Sequence, residues 1–121
     1  MKKLIILFLI IFVNANEIEL FENLFPQLFQ KKEIKIYTNK YTKFNSSILK
    51  KVNNCQNADI VLGEIECNKP KFLLDYYNFK KDKKAIGAFY WRKGRPQLRL
   101  RKENILYYHL HLSKEFSEYL E

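Results

Sequence analysis

The chain has 121 residues, with 22 Lys and Arg against 13 Asp and Glu, which gives a formal net charge of +9. This length fits one domain and excludes a multi-domain enzyme or the body of a large transporter. Hydrophobic residues make up 47% of the chain and aromatic residues 16%, which excludes general disorder and leaves a small, basic, aromatic-rich globular domain.

The first residues have the pattern of a secretory signal peptide. Two lysines follow the initial methionine, and ten apolar residues then end at Val13. This run is too short to cross a bilayer, which needs about 20 residues. Ala15 supplies the small residue that a signal peptidase reads, so cleavage is predicted after it. The sequence therefore predicts a signal peptide over residues 1–15 and a periplasmic domain over residues 16–121, with a buried N-terminal helix as the alternative.

The first part of the predicted mature chain indicates a helix, a strand and a second helix. Apolar residues at helical spacing predict a helix over residues 17–25, which Pro26 should end or kink. Alternating apolar and polar residues predict a strand over residues 33–38. Ser46, or the serine that follows it, is predicted to cap a short helix that runs to Val52.

The central part contains a predicted buried strand between two cysteines. Residues 58–63 are a compact apolar run that ends in glycine, as in a strand buried on both faces. Cys55 and Cys67 lie on either side of this run and are the only cysteines of the chain. Residues 70–74 predict a short strand, and residues 75–80 the start of a helix.

The C-terminal part predicts a β-hairpin followed by two helices. Strands over residues 85–91 and 97–101 should be joined by a turn in which Gly94 supplies the positive backbone angle. A helix is predicted over residues 103–108, and Ser113 should cap the last one. The order of elements indicates a single compact α/β domain with a mixed sheet of about four or five strands, the first two parallel, with flanking helices and a C-terminal hairpin followed by helices.

Export decides how the charge and the cysteines are interpreted. In the cytoplasm, a basic domain suggests nucleic acid as the first candidate ligand. Outside the cytoplasm, anionic lipid, polysaccharide, a phosphate- or carboxylate-bearing solute, or an acidic partner protein is favoured. An even number of cysteines in an oxidising compartment predicts a disulfide between Cys55 and Cys67. A redox or metal-binding pair is the alternative, but the spacing is not Cys-x-x-Cys.

The placement of arginine is the most informative chemical feature. The four arginines all fall within ten residues: Arg92, Arg95, Arg99 and Arg101. The planar guanidinium fits a carboxylate or phosphate with two hydrogen bonds, which an ammonium does not. The cluster, with Tyr90 and Trp91 beside it, is the predicted ligand- or partner-binding site. The alternative is a charged hairpin face that keeps an edge strand soluble.

Other chemistry is poorly represented in the sequence. His109 and His111 have no Cys, Asp or Glu at a recognised ligand spacing, so they are interpreted as surface or interface residues and not as a metal site. The chain also lacks a nucleophile elbow and a glycine-rich phosphate loop. The sequence therefore predicts no catalytic residue, no metal and no cofactor, and hence no enzyme.

Three stretches carry a resemblance to known proteins: AIGAFYWRKGRP at residues 85–96, preceded by ADIVL at 58–62 and KPKF at 69–72. With these stretches, the chain resembles small exported bacterial α/β proteins related to one lobe of periplasmic solute-binding proteins, and also YfiR-like periplasmic regulators. The resemblance implies a non-enzymatic module that binds a ligand or the outer domain of a membrane sensor, such as a histidine kinase or a diguanylate cyclase.

These observations lead to one functional hypothesis and two alternatives. The leading hypothesis is a non-enzymatic periplasmic binding or regulatory module that recognises an anionic ligand or the outer domain of a membrane sensor. The first alternative is a small solute-binding subunit of a transport system, which needs a pocket of about 300 Å³ or more. The second is a basic nucleic-acid-binding domain, if the chain is not exported.

Overall fold

The computed structural model describes the backbone of residues 13–121 and the side chains from residue 17 onward. Most of the predicted signal peptide, including its apolar run, lies outside the described residues. The strands are β1 (Ile34–Thr38), β2 (Leu49–Lys51), β3 (Ile60–Leu62), β4 (Lys71–Leu73), β5 (Gly87–Arg92) and β6 (Arg95–Leu100). The helices are α1 (Val13–Phe29), α2 (Tyr76–Lys81) and α3 (Lys102–Tyr107), with short 3-10 helices at Cys55–Asn57 and Lys114–Tyr119.

The six strands form one mixed sheet in the order β2-β1-β3-β4-β5-β6. All neighbouring strands are parallel except β5 and β6, which form an antiparallel hairpin. This confirms the predicted single α/β domain with a mixed sheet, flanking helices and a C-terminal hairpin. The sheet has six strands where about four or five were predicted, because the segment after Ser46 is a strand.

The predicted short helix over residues 46–52 is wrong. The hydroxyl of Ser46 does accept hydrogen bonds from the backbone N–H groups of Ile48 and Leu49, both at 3.0 Å, as a helix cap would. The chain then pairs with β1: Ile34 N–H donates to the carbonyl of Ile48, and Leu49 is 1% exposed. Pairing with β1 satisfies the backbone and buries Leu49, so tertiary contacts override the local capping signal.

Helix α1 covers one face of the sheet. Its inward side chains are almost completely buried: Leu20, Phe21, Leu24, Phe25 and Leu28. Pro26 lies inside this helix, which continues to Phe29 where the sequence predicted an end or a kink. Proline costs the helix one backbone hydrogen bond, and the burial of Phe25 and Leu28 against the sheet offsets that cost.

Helix α2 covers part of the opposite face, so helices lie on both faces of the sheet. Phe79 of α2 packs with Leu73, Ala85, Ala88 and Tyr90 in a second, smaller apolar cluster. The helix begins where the side chain of Asp75 accepts a hydrogen bond from the N–H of Asn78 at 2.9 Å. Helix α2 therefore lies directly against the hairpin strand β5.

The hairpin extends beyond the rest of the sheet. The last register pair between β4 and β5 joins Leu73 to Ala88, whereas β5 continues to pair with β6 as far as Arg92. Residues 89–98 thus form a two-stranded projection, here called the hairpin arm. Its turn has positive φ angles at both central residues, 51° at Lys93 and 78° at Gly94, as a type I′ turn requires.

Gly87 is required where the hairpin arm leaves the sheet. A Cβ atom at this position would lie 2.6 Å from the carbonyl oxygen of Arg99 and 2.8 Å from a methyl carbon of Leu100. Only glycine therefore allows β5 and β6 to approach this closely.

Cys55 and Cys67 lie at disulfide distance, with their Cα atoms 6.2 Å apart. Cys55 begins the 3-10 helix before β3, and Cys67 lies in the connection between β3 and β4. The predicted pairing is confirmed at the level of geometry. The bridge ties the loop that follows β3 to the segment that precedes it.

Candidate functional site

The hairpin places the predicted site residues on two different faces. Tyr90, Arg92, Arg95 and Arg99 alternate with inward residues and share the face that α2 covers, whereas Trp91 points to the opposite face. There Trp91 packs edge-on against Phe89, with ring centroids 6.0 Å apart. Trp91 is therefore separated from the arginines by the sheet, and Tyr90 is the aromatic residue that lies beside them.

Arg101 is used inside the protein. Its guanidinium donates hydrogen bonds to the carbonyl of Asp82 at 2.7 Å and to the carbonyl of Phe79. It also lies over the ring of Phe79, 3.8 Å from the centroid. Burial lowers the pKa of Arg101. This arginine closes the C-terminal end of α2, where helix carbonyls lack intrahelical partners.

Arg99 is also engaged within the fold. Its Nε donates to the carboxylate of Glu121, and its Nη1 donates to the hydroxyl of Tyr90 at 3.1 Å. Burial alone would lower the pKa of Arg99, but the hydrogen bonds to Glu121 and Tyr90 leave it above the usual value. Arg99 and Arg101 together therefore hold β6 against α2 and the C-terminal segment.

Arg92 and Arg95 remain as the exposed arginines at the tip of the hairpin arm. They are directly opposite each other across the strand pair, with Lys93 in the turn between them. The guanidinium of Arg92 lies over the ring of Tyr76, 5.8 Å from its centroid, and Tyr76 is 40% exposed. Among residues 17–121, no ion pair joins Arg92 or Arg95 to a carboxylate. We call these four residues, Tyr76, Arg92, Lys93 and Arg95, the tip surface.

A second candidate site is a cleft of about 880 Å³ at the opposite end of β5. Its walls come from the loop between β3 and β4, the start of β4, and the segment from α2 to β5. Five lysines line it: Lys69, Lys71, Lys81, Lys83 and Lys84. Three carboxylates also line it: Glu64, Glu66 and Asp82. We call it the lysine cleft.

Lys71 organises the acidic residues of the lysine cleft. Lys71 is 8% exposed, and its ammonium lies 2.7 Å from a carboxylate oxygen of Asp82 and 3.4 Å from one of Glu64. Burial opposes the charged forms, but the ion pair prevails: the pKa of Lys71 is raised and that of Asp82 is lowered. Both groups are therefore charged at neutral pH.

Sequence reasoning did not find the lysine cleft, because lysine is spread along the whole chain and gives no local signal. The cleft arises when the disulfide-anchored loop and the segment after α2 come together. The basic run at positions 80, 81, 83 and 84 is the one local hint, but such a run is also typical of a solvated surface segment.

His109 and His111 lie in the segment that follows α3. His109 has a positive φ of 58°, and the backbone N–H of His111 donates to the carbonyl of Leu28 at 2.9 Å. Within the part of the chain that the structure describes, no group of three or more His, Cys, Asp or Glu side chains is placed to hold a metal ion. The same part contains no helix that is long and apolar enough to span a bilayer.

Comparisons with models of protein families, with curated proteins and with solved structures found no match. The resemblance to one lobe of solute-binding proteins and to YfiR-like regulators therefore stays a prediction.

Proposed function

We propose that this chain is a non-enzymatic periplasmic binding or regulatory module that recognises an acidic surface on a partner protein, such as the outer domain of a membrane sensor. The observation that carries this proposal is the pair Arg92 and Arg95, exposed side by side at the end of a projecting arm. Both lack an ion-pair partner among residues 17–121.

The shape and composition of the tip surface favour a protein over a small molecule. Small-molecule sites are concave and enclose most of the ligand, whereas Arg92, Lys93 and Arg95 are exposed at the end of a hairpin that extends beyond the sheet. Arginine and tyrosine are the residue types that dominate binding energy at protein interfaces. Each guanidinium can take a carboxylate with two parallel hydrogen bonds, so an acidic partner surface fits both the charge and the geometry.

The rest of the fold supports this role by holding the hairpin arm in place. Arg101 ties the base of β6 to the end of α2, and Arg99 joins Tyr90 to Glu121. A binding surface on a rigid element loses little conformational freedom when the partner docks, which favours affinity.

A periplasmic location is supported by the signal-peptide pattern and by the paired cysteines. Disulfides persist in oxidising compartments and are rare in the cytoplasm of most bacteria. A cytoplasmic location would make nucleic acid the first candidate for the basic surface instead.

The proposal is tested with tagged mature protein recovered from intact cell envelopes. Arg92→Ala with Arg95→Ala should remove the specific partner from the recovered material while the melting temperature changes by less than about 2 °C. Lys32→Ala with Lys50→Ala is the matched control, because it removes the same charge from exposed residues on other segments. Recovery of the same partner by the double arginine variant would contradict the proposal.

A further inference from the structure

We propose that the lysine cleft binds a multivalent, phosphate-bearing solute, at a site separate from the tip surface. This inference goes beyond the proposed partner recognition and does not depend on it. The lysine cleft lies near the start of β4 and β5, whereas the tip surface lies at the far end of β5.

The charge of the lining favours an anion. Five lysines against three carboxylates leave a local charge of +2 (five minus three). The carboxylates of Glu64 and Asp82 both lie against Lys71, so their charge is concentrated around this one ammonium. Of the three acids, Glu66 alone has no ion pair with a described residue. The four other lysines therefore provide a positive field that a bound anion would neutralise.

The identity of the cations favours phosphate. The lining contains lysine and no arginine, and an ammonium binds phosphate as a point charge from many directions, without the fixed two-bond geometry that a guanidinium imposes. Asn68 and Tyr108 add neutral hydrogen-bonding groups to the wall. The hydroxyl of Tyr108 is protonated at neutral pH, as in any tyrosine, and burial raises its pKa further, so it can donate to a phosphate oxygen.

The size of the lysine cleft indicates a solute larger than a single ion. Its volume of about 880 Å³ falls within the range of sites that hold small organic molecules. Several separated lysines also suit an anion with more than one charged group. A phosphorylated sugar or a compound with two phosphates has both properties.

The backbone on two sides of the lysine cleft is held by bonds within the fold. Cys67 is itself part of the wall, and its partner Cys55 anchors the loop that also carries Glu64, Glu66, Asn68 and Lys69. On the other side, the amide of Asn104 donates to the carbonyls of Lys83 at 2.7 Å and Ala85 at 2.8 Å. A preformed site avoids the entropic cost of ordering loops on binding.

Calorimetric titration of the mature, oxidised protein with inorganic pyrophosphate, glucose 6-phosphate, orthophosphate and citrate tests this inference. We expect saturable one-to-one binding of pyrophosphate or of the sugar phosphate, tighter than that of orthophosphate and citrate. Lys83→Ala with Lys84→Ala should weaken it by at least about tenfold. Lys69→Gln serves as a second variant, with an expected loss of about threefold or more, in case the double variant folds poorly.

Two controls make the result specific. Lys32→Ala with Lys50→Ala removes the same charge elsewhere, and Arg92→Ala with Arg95→Ala removes it from the tip surface. Both should leave the affinity within about twofold. The inference is overturned if neither phosphate compound binds saturably, if citrate binds as tightly as they do, or if the Lys32 and Lys50 control weakens binding equally. The Arg92 and Arg95 variant is measured by anion affinity for the lysine cleft and by partner recovery for the tip surface, so the two proposals fail independently.

Discussion

Arg101→Ala should destabilise the protein far more than Arg92→Ala does. In the structure this guanidinium donates to the carbonyls of Phe79 and Asp82 and packs on the ring of Phe79. Its loss leaves carbonyls at the end of α2 without their charged donor and uncovers the ring. Hydrogen bonds from a charged group contribute about 1.5–3 kcal/mol, and a cation over an aromatic ring about 0.5–1 kcal/mol at an exposed site.

Because water reaches part of this half-buried site and replaces some of the lost hydrogen bonding, we expect a total loss of about 2–3 kcal/mol. For a domain of roughly 100 residues, this lowers the melting temperature by about 8–12 °C. Urea and thermal unfolding followed by circular dichroism should show this for Arg101→Ala and a smaller loss for Arg101→Lys, which keeps the charge. Arg92→Ala, at an exposed position, should change the unfolding free energy by less than about 0.5 kcal/mol. Equal losses for Arg101→Ala and Arg92→Ala would refute the internal role assigned to Arg101.

Three further predictions concern the disulfide, the ion pair and export. Replacing Cys55 and Cys67 by serine should lower the unfolding free energy by about 3 kcal/mol, measured by urea unfolding against the oxidised protein. The folded protein lowers the pKa of Asp82, so the stabilisation that ionised Asp82 provides is present above about pH 4 and is lost as the pH falls below that value. Asp82→Asn should therefore unfold more easily than the wild type at pH 7, and the two proteins should approach the same stability at pH 2. N-terminal sequencing of the protein from the periplasm should begin at Asn16, and a soluble cytoplasmic product that retains Met1 would contradict export.

The elements that the sequence predicts well are those with strong local patterns. The apolar run around β3, the alternation in β1 and the glycine turn of the hairpin all appear where they were expected. Strand β2 could not be predicted, because Ser46 gives the same capping signal before a strand as before a helix. The choice between helix and strand is decided by the free edge of β1, with which β2 pairs. That pairing joins segments that are separated in sequence, so no local pattern reveals it.

In the candidate site, too, local patterns were predictable from the sequence and long-range contacts were not. Both Tyr90 and Trp91 were predicted to belong to the site, although neighbours in a strand point to opposite faces. The internal use of Arg99 and Arg101 was beyond sequence reasoning, because their partners come from α2 and from the C-terminal residue. The clustering of arginines therefore drew attention to the hairpin. It did not distinguish the arginines that bond within the fold from those that remain exposed.

Helix α2 connects the two proposed sites, and this determines how variants should be interpreted. Tyr76 at its start belongs to the tip surface, and Lys81 at its end lines the lysine cleft. Arg101 holds that end of α2 through the carbonyls of Phe79 and Asp82, and Asp82 is itself part of the cleft. Arg101→Ala should therefore weaken both partner recovery and anion binding without touching either ligand. Variants at Arg92 with Arg95, or at Lys83 with Lys84, should each affect only one of them, and that difference separates a contact residue from one that positions the fold.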